Sequence, residues 1–119
     1  MIIFKHLKSM QKILIIGGAG YVGTPLANYL SDKFNVTVLD TFWFGNFLNK
    51  KINTIKADIR NLKKIDFKKY EIVINLAYLS NDPLCEIDAK KTWDIGPLSN
   101  YYILEKCVKD KVKHYIFAS

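Results

Sequence analysis

The stretch Lys12-Ile13-Leu14-Ile15-Ile16-Gly17-Gly18-Ala19-Gly20-Tyr21-Val22-Gly23 decides the fold of this 119-residue chain. Its apolar run predicts a buried parallel strand, and the pattern that follows predicts a helix. We expect Gly17 to allow a tight turn and Gly20 to let the backbone approach a pyrophosphate. Gly23 would let the helix pack closely on the strand, with its N–H groups directed at the phosphates. The stretch therefore predicts a dinucleotide-binding βαβ unit rather than a glycine-rich turn without a nucleotide.

An acidic residue follows at the spacing that such a unit needs. Asp40 closes the second apolar run, Val36 to Leu39, and lies 20 residues after Gly20. This is the distance expected for a carboxylate that hydrogen-bonds a ribose diol. A carboxylate there would repel a 2′-phosphate, and no arginine stands beside it in the sequence. Asp40 therefore predicts NAD rather than NADP as the cofactor.

Strands and helices alternate along the whole chain. Unbroken apolar strands between helices indicate a parallel sheet that is covered on both faces. Right-handed crossovers then give a Rossmann-type, doubly wound α/β fold with about five strands in the order 3-2-1-4-5. The predicted strands are Ile13 to Ile16, Val36 to Leu39, Asn53 to Lys56, Ile72 to Leu76 and Tyr115 to Phe117. Helices are predicted over Tyr21 to Ser31, Arg60 to Ile65 and Thr92 to Lys109, with a short one beginning at Asp82-Pro83.

Two apolar stripes are expected on the longer helices. The first helix carries Val22, Leu26, Tyr29 and Leu30, and the last carries Leu98, Tyr101, Leu104 and Val108.

Composition narrows the class of protein. Half of the residues are apolar and 24% are charged, which is typical of a soluble globular protein, for which we expect a cytoplasmic location, and no apolar run could span a bilayer. Cys85 and Cys107 lack CxxC spacing, which indicates a reducing compartment, and with only two histidines they do not predict a metal site.

We expect residues 1–11 to form a leader, with Met10 as a possible start, and residues 12–119 to form the NAD-binding domain.

The net charge of +7 raises the question of nucleic-acid binding. Only one of the 18 basic residues, Arg60, is an arginine, and the lysines are scattered. This pattern favours a solvated lysine surface over a nucleic-acid interface or a membrane-binding surface. A gel shift at moderate salt would reveal nucleic-acid binding.

The motifs together resemble a known family. Gly17 to Gly23, Asp58-Ile59, Asn75-Leu76-Ala77-Tyr78 and the final stretch Leu104 to Ser119 are similar to segments of the extended short-chain dehydrogenase/reductases. These include the NAD-dependent nucleotide-sugar epimerases and dehydratases. The resemblance implies the cofactor-binding residues Gly17, Gly20, Tyr21, Val22, Gly23, Asp40, Asp58, Ile59, Leu76, Ala77 and Tyr78. The chain departs from the family at Ile16, Asn75 and Gly96, where threonine, histidine and asparagine are usual.

The resemblance also bears on catalysis. In the family, a tyrosinate takes a proton from a sugar hydroxyl while NAD accepts the hydride. The catalytic Ser/Thr comes immediately after the position of Ser119, and Tyr-x-x-x-Lys lies further on. The resemblance therefore implies a fold truncated after strand five, with no catalytic residue present and with enzyme status left open. Tyr102 and Lys106 have the right spacing, but they precede strand five, so we do not expect them to be catalytic.

Two functions remain open at this point. The chain is either the NAD-binding portion of a nucleotide-sugar epimerase/dehydratase-like oxidoreductase or a stand-alone, non-catalytic dinucleotide-binding or sensing module. An in-frame Ser…Tyr-x-x-x-Lys continuation downstream of Ser119 would exclude the module.

The remaining candidates are structural. The aromatic loop Phe42 to Phe47 could stack on a base, but we expect it to fold back onto the sheet. His114 is expected at the surface and Cys107 in or near the core. Strand five would be an unpaired edge, which predicts a marginally stable or self-associating chain and hence a homo-oligomer.

Overall fold

Strand β1 (Lys12–Ile16) is the central strand of a five-stranded sheet in a computed structural model that describes residues 10–77 and 98–118. β1 is hydrogen-bonded on one side to β2 and on the other to β4, and all four strand pairings are parallel. The order β3-β2-β1-β4-β5 confirms the predicted 3-2-1-4-5 arrangement. The other strands are β2 (Asn35–Asp40), β3 (Asn53–Lys56), β4 (Ile72–Asn75) and β5 (His114–Phe117), and the helices are α1 (Gly23–Leu30) and α2 (Ser99–Lys109).

The apolar side chains of β1 contribute to the core on both faces of the sheet. Successive side chains of a strand point to opposite faces, so a strand buried on both sides reads as continuous apolar sequence. Leu14 and Ile16 pack in one cluster with Ile103 and Cys107 of α2. Ile13 and Ile15 pack in a second cluster with Ala27 of α1. The two helices thus cover opposite faces, which leaves the carboxyl-terminal edge of the sheet for a ligand.

The buried face of α2 differs from the predicted stripe. Ser99, Ile103 and Cys107 are buried, whereas Tyr101, Leu104 and Val108 are exposed. These buried residues lie four apart and are small or medium-sized, so they let the helix come close to the sheet. On α1, similarly, Gly23 and Ala27 are buried and the predicted Val22 and Tyr29 are exposed.

Other boundaries are close to the predictions. The helical piece expected over Arg60 to Ile65 is a single 3₁₀ turn, Ile59–Asn61. Asp58 caps this turn, because its side chain accepts a hydrogen bond from the backbone N–H of Arg60. The short helix expected at Asp82-Pro83 and the first residues of the helix expected from Thr92 lie outside the described residues. Within the part of the chain that the structure describes, no helix is long and apolar enough to cross a membrane.

Candidate dinucleotide-binding site

A cavity of about 180 Å³ opens at the carboxyl-terminal edge of the sheet. The strand order reverses here: the chain runs from β1 to β2 and β3 on one side, and β4 and β5 follow on the other. Open parallel sheets bind ligands at such a switch point. The cavity is lined by the glycine loop and by residues at or after the strand ends: Gly17, Gly20, Leu39, Asp40, Thr41, Trp43, Ala57, Asp58, Ile59, Leu76 and Ala77.

Gly17 is held against the exit of β4. Its φ is +78°, in the left-handed region, and a Cβ atom there would stand 2.7 Å from the backbone nitrogen of Ala77. Its N–H donates to the carbonyl oxygen of Leu39 at 2.8 Å. Only glycine combines this backbone conformation with so close an approach. The turn after β1 is therefore fixed to the ends of both neighbouring strands.

The other two glycines of the motif differ in what surrounds them. A Cβ atom at Gly23 would stand 2.5 Å from the Cα of Gly18, so the first residue of α1 packs directly on the backbone of the glycine loop. A Cβ atom at Gly20 would meet nothing closer than the carbonyl oxygen of Gly17, at 3.7 Å, and Gly20 has no left-handed φ. Among the described residues, neither packing nor backbone conformation requires glycine at position 20. The position instead leaves space at the boundary of the cavity.

Helix α1 begins beside this loop without a side-chain cap. Val22 occupies the N-cap position and makes no capping hydrogen bond through its side chain, and the first turn holds no acidic residue. The N–H groups and dipole of a helix N-terminus attract anions. The loop and the start of α1 together therefore favour a phosphate.

Asp40 joins the glycine loop to the loop after β2. Its Oδ2 accepts a hydrogen bond from the backbone N–H of Ala19 at 3.0 Å, and its Oδ1 accepts one from Phe42 at 2.8 Å. A carboxylate has about four lone-pair positions, so these two bonds leave acceptor capacity for a further donor. The two bonds fix the carboxylate at the cavity wall before any ligand arrives.

The opposite part of the cavity contains a second carboxylate, Asp58. Its oxygens accept hydrogen bonds from Nε and Nη2 of Arg60 at 3.0 and 2.6 Å, besides the bond from the Arg60 backbone. Arg60 is therefore engaged by Asp58, and it is not among the lining residues. Within the described part of the lining there is no lysine or arginine to receive a 2′-phosphate.

A buried polar network supports the β4 side of the cavity. Asn75 is fully buried, and its Nδ2 donates to the hydroxyl oxygen of Tyr115 at 3.2 Å and to Oδ1 of Asn100 at 3.4 Å. The hydroxyl of Tyr115 also donates to Asn100. Oδ1 of Asn75 accepts the backbone N–H of Ala77 at 3.1 Å. Burial raises the pKa of Tyr115, so its hydroxyl stays protonated at neutral pH. Helix α2 and strand β5 thus help to fix the cavity-lining Ala77.

The aromatic loop after Asp40 packs only in part. Phe42 folds onto the core, as predicted, but Trp43, Phe44 and Phe47 are exposed, and for these three the prediction was wrong. Phe42 has a left-handed φ of +59°. Trp43, the next residue, is among those that line the cavity.

The cavity brings together seven of the eleven predicted cofactor-binding residues: Gly17, Gly20, Asp40, Asp58, Ile59, Leu76 and Ala77. Tyr21, Val22 and Gly23 lie at the start of α1 but not in the lining, and the side chain of Tyr21 is 98% exposed. Tyr78 lies outside the described residues. The prediction missed Leu39, Thr41, Trp43 and Ala57. No periodicity in the sequence marks Trp43, because its place at the cavity depends on the conformation of the loop.

A larger cavity of about 870 Å³ lies between the 3₁₀ turn and α2. Among the described residues it shares only Ile59 with the first cavity, and its lining includes neither the glycine loop nor Asp40. Tyr102 and Lys106 are in its lining. The Lys106 ammonium lies 3.8 Å from a carboxylate oxygen of Asp110 and 5.0 Å from the ring centre of Phe67. These contacts give Lys106 a structural role on α2.

Cys107 and His114 lie where they were expected. Cys107 is buried, and this burial raises its thiol pKa to about 11, with the nearby Asp110 acting in the same direction. His114 is exposed at the start of β5. No three side chains of the metal-binding types His, Cys, Asp and Glu come together within residues 10–77 and 98–118.

Comparison with known proteins decides the family. The model of the NAD dependent epimerase/dehydratase family matches residues 13–119. The chain belongs to this family.

Individual members agree in sequence and fold. The chain is 32% identical to a dTDP-D-glucose 4,6-dehydratase of Dictyostelium discoideum over 125 residues, covering 92% of this chain and 29% of that protein. It superposes on a UDP-glucose 4-epimerase of Thermotoga maritima, solved with UDP-glucose, with a TM-score of 0.84 and 25% identity, covering 92% of this chain and 38% of that one. A Thermus thermophilus UDP-glucose 4-epimerase, solved as a complex with NAD, gives a TM-score of 0.82 at 23% identity, covering 92% and 37%. These matches confirm the predicted resemblance and Rossmann-type fold.

This epimerase/dehydratase chain is short beside its relatives. It spans between 29% and 44% of the length of the first three curated relatives that it matches. The curated relatives that it matches include a UDP-glucose 4-epimerase of Pisum sativum as well as the dehydratase. The comparisons therefore establish the family and the fold of the chain. Its substrate and its reaction are subjects for a proposal.

Proposed function

We propose that the chain binds NAD in the cavity at the carboxyl-terminal edge of the sheet. In this proposal it serves as the NAD-binding portion of an oxidoreductase that acts on a nucleotide sugar. The observation that carries the proposal is the convergence of Gly20 and Asp40 on one cavity at the switch point. A dinucleotide needs both, because its pyrophosphate approaches the glycine loop and its adenosine ribose needs an acceptor for two hydroxyls.

Each part of the proposed ligand has a partner. The pyrophosphate lies over Gly17 to Gly20 and the start of α1, with Tyr21, Val22 and Gly23 at that helix end. The ribose hydroxyls donate to the remaining lone pairs of Asp40. The adenine extends toward Asp58 and Ile59, and the nicotinamide half extends toward Leu76, Ala77 and Tyr78. NAD supplies the hydride-accepting chemistry when it is bound.

The same residues favour NAD over NADP. The Asp40 carboxylate would repel a 2′-phosphate, and the described lining offers no cation in compensation. Since Asp40 already accepts two backbone N–H groups, it cannot turn away without breaking both bonds. We therefore propose that discrimination against NADP is built into the geometry of the site.

Isothermal titration calorimetry of the 119-residue chain tests this proposal. We expect saturable 1:1 binding of NAD and binding of NADP that is about tenfold weaker or worse, equivalent to about 1.4 kcal/mol. Asp40→Asn and Asp40→Ala should weaken NAD binding, with thermal unfolding measured to confirm that both variants fold.

Asp32→Ala is the matched control, since Asp32 is an exposed aspartate that pairs with Lys51 and does not line the cavity. It should bind NAD as the wild type does. Absence of saturable NAD binding by the folded wild-type chain, or equal affinity for NADP, would overturn the proposal.

A further inference from the structure

Trp43 is the large apolar side chain on the Asp40 side of the cavity. It is 54% exposed and lines the cavity next to Asp40 and Thr41. Its neighbours in the loop, Phe44 and Phe47, are 85% and 75% exposed and do not line the cavity. Trp43 therefore differs from Phe44 and Phe47 in its position, because it alone of these three exposed aromatic residues lines the cavity.

The loop that carries Trp43 is fixed at both ends. At its start, the N–H of Phe42 donates to Asp40, and the ring of Phe42 packs on the core. At its end, the N–H of Asn49 donates to Oδ1 of Asn28 on α1 at 2.8 Å. Nδ2 of Asn28 donates to the carbonyl oxygen of Phe47 at 3.4 Å. The position of Trp43 is thus set before a ligand binds.

Phe42, at the start of this loop, has an unusual backbone conformation. A left-handed φ of +59° is strained for a bulky residue, and such strain is concentrated at ligand-binding positions. The ring of Phe42 packs on the core, and Trp43, the next residue, lines the cavity.

The position of Asp40 indicates which part of a dinucleotide would reach this cavity. The part lined by the described residues, about 180 Å³, is smaller than sites that enclose whole ligands of this size. Asp40 marks the ribose of the adenosine half. Trp43 and Ile59 are apolar side chains that line the same cavity as the two carboxylates. A flat base with polar edges suits apolar walls beside hydrogen-bond acceptors.

We infer that the indole of Trp43 is a wall of the adenosine subsite, on which the adenine-ribose end of the dinucleotide packs. This inference rests on the proposed binding of NAD and adds a residue that determines affinity at one end of the ligand. The other end of the dinucleotide extends past the glycine loop toward Ala77 and makes no contact with Trp43.

Binding measurements with NAD and ADP-ribose test the inference, because ADP-ribose retains the adenosine half and lacks nicotinamide. Trp43→Ala should raise the Kd of both ligands by the same factor, about tenfold, as expected for loss of one base–aromatic stack. Trp43→Phe retains a stacking ring and should recover most of the affinity. Phe44→Ala is the matched control and should bind both ligands as the wild type does.

Fluorescence gives an independent readout. The chain has two tryptophans, so Trp93→Phe leaves Trp43 as the only tryptophan, whose fluorescence can then be excited selectively. Addition of NAD should change this emission with the same Kd that calorimetry gives.

The outcomes separate this inference from the proposed function. If the folded wild type binds no NAD, the proposed function fails. If it binds NAD but Trp43→Ala does so equally well, only this inference is overturned. A loss confined to NAD, an equal loss in Phe44→Ala or an unchanged Trp43 emission would also overturn it.

Discussion

A Cβ atom at Gly17 would stand 2.7 Å from the backbone nitrogen of Ala77, so the turn after β1 and the exit of β4 are in direct contact. The two segments are distant in sequence, and both line the proposed dinucleotide site. The shape of this part of the site is therefore determined by backbone packing rather than by mobile side chains.

Alanine substitutions should separate the structural glycines from the ligand-binding one. Gly17→Ala combines a left-handed backbone with a steric clash, and we expect it to lower the free energy of unfolding by about 2–5 kcal/mol. Gly20→Ala meets no close neighbour, so stability should change by less than about 1 kcal/mol while NAD affinity falls at least about tenfold. Chemical denaturation and calorimetry measure the two effects. Equal destabilisation by both substitutions would contradict this prediction.

Removing one hydroxyl should destabilise the buried polar network. Tyr115→Phe leaves Nδ2 of Asn75 and Oδ1 of Asn100 each without one partner, which should cost about 1–3 kcal/mol of unfolding free energy. Tyr101→Phe, at an exposed position on α2, is the matched control and should change stability by less than about 0.5 kcal/mol. Urea denaturation provides the measurement. Equal stability of the two variants would show that the network contributes nothing.

The buried thiol of Cys107 predicts a loss of stability at alkaline pH. Its pKa is about 11 in the folded chain, against an ordinary value of 9.0. Below pH 9 the thiol is protonated in both states. Between pH 9 and 11 only the unfolded chain releases the proton, so stability falls as pH rises, by up to about 2–3 kcal/mol.

The test of this effect uses Cys85→Ser as the background, which leaves Cys107 as the only thiol. The free energy of unfolding is compared at pH 8 and 10.5 with that of Cys85→Ser/Cys107→Ala. The difference between the two pH values should be smaller in the double variant, since lysines and tyrosines contribute equally to both proteins. An identical difference would exclude Cys107 as a cause.

The two edges of the sheet differ in their tendency to associate. The β3 edge carries Asn53, Thr54 and Lys56, whereas β5 exposes Ile116 and Phe117, at 51% and 36%. In the described chain β5 pairs only with β4, and exposed apolar edges promote strand pairing between molecules. We expect the isolated 119-residue chain to self-associate as its concentration rises.

Sedimentation velocity measures this association. Ile116→Lys should weaken it, while Phe44→Lys, an exposed site in the loop after β2, should not. A wild-type chain that remains monomeric over a hundredfold range of concentration would contradict the prediction.

The strand order was predictable because each strand reads as an apolar run, and few topologies join such runs without left-handed crossovers. The meeting of Gly17, Gly20 and Asp40 at one cavity was predictable because a dinucleotide-binding βαβ unit carries these residue types at fixed spacings. These signals are local in sequence, which is why they could be recognised without coordinates.

The positions that were missed depend on close packing and loop conformation. The buried face of α2 was assigned to its larger apolar residues, but the distance between helix and sheet selected Ser99 and Cys107 instead. The place of Trp43 at the cavity depends on the conformation of the loop after β2, in which Phe42 has a left-handed φ, and no periodicity encodes such a conformation. The network around Asn75 joins residues 25 and 40 positions away in sequence, so only the folded chain brings them together.

The central position of β1 has a consequence for synthesis. Ile13 pairs with Val36 on one side and with Ile72 on the other, so a chain emerging from the ribosome has β1 and β2 available well before β4. During that interval one edge of the most apolar strand has no partner. Long-range parallel pairing is slow to form and exposes such edges. The nascent chain therefore exposes one unpaired edge of β1 until Ile72 to Asn75 has been translated and released.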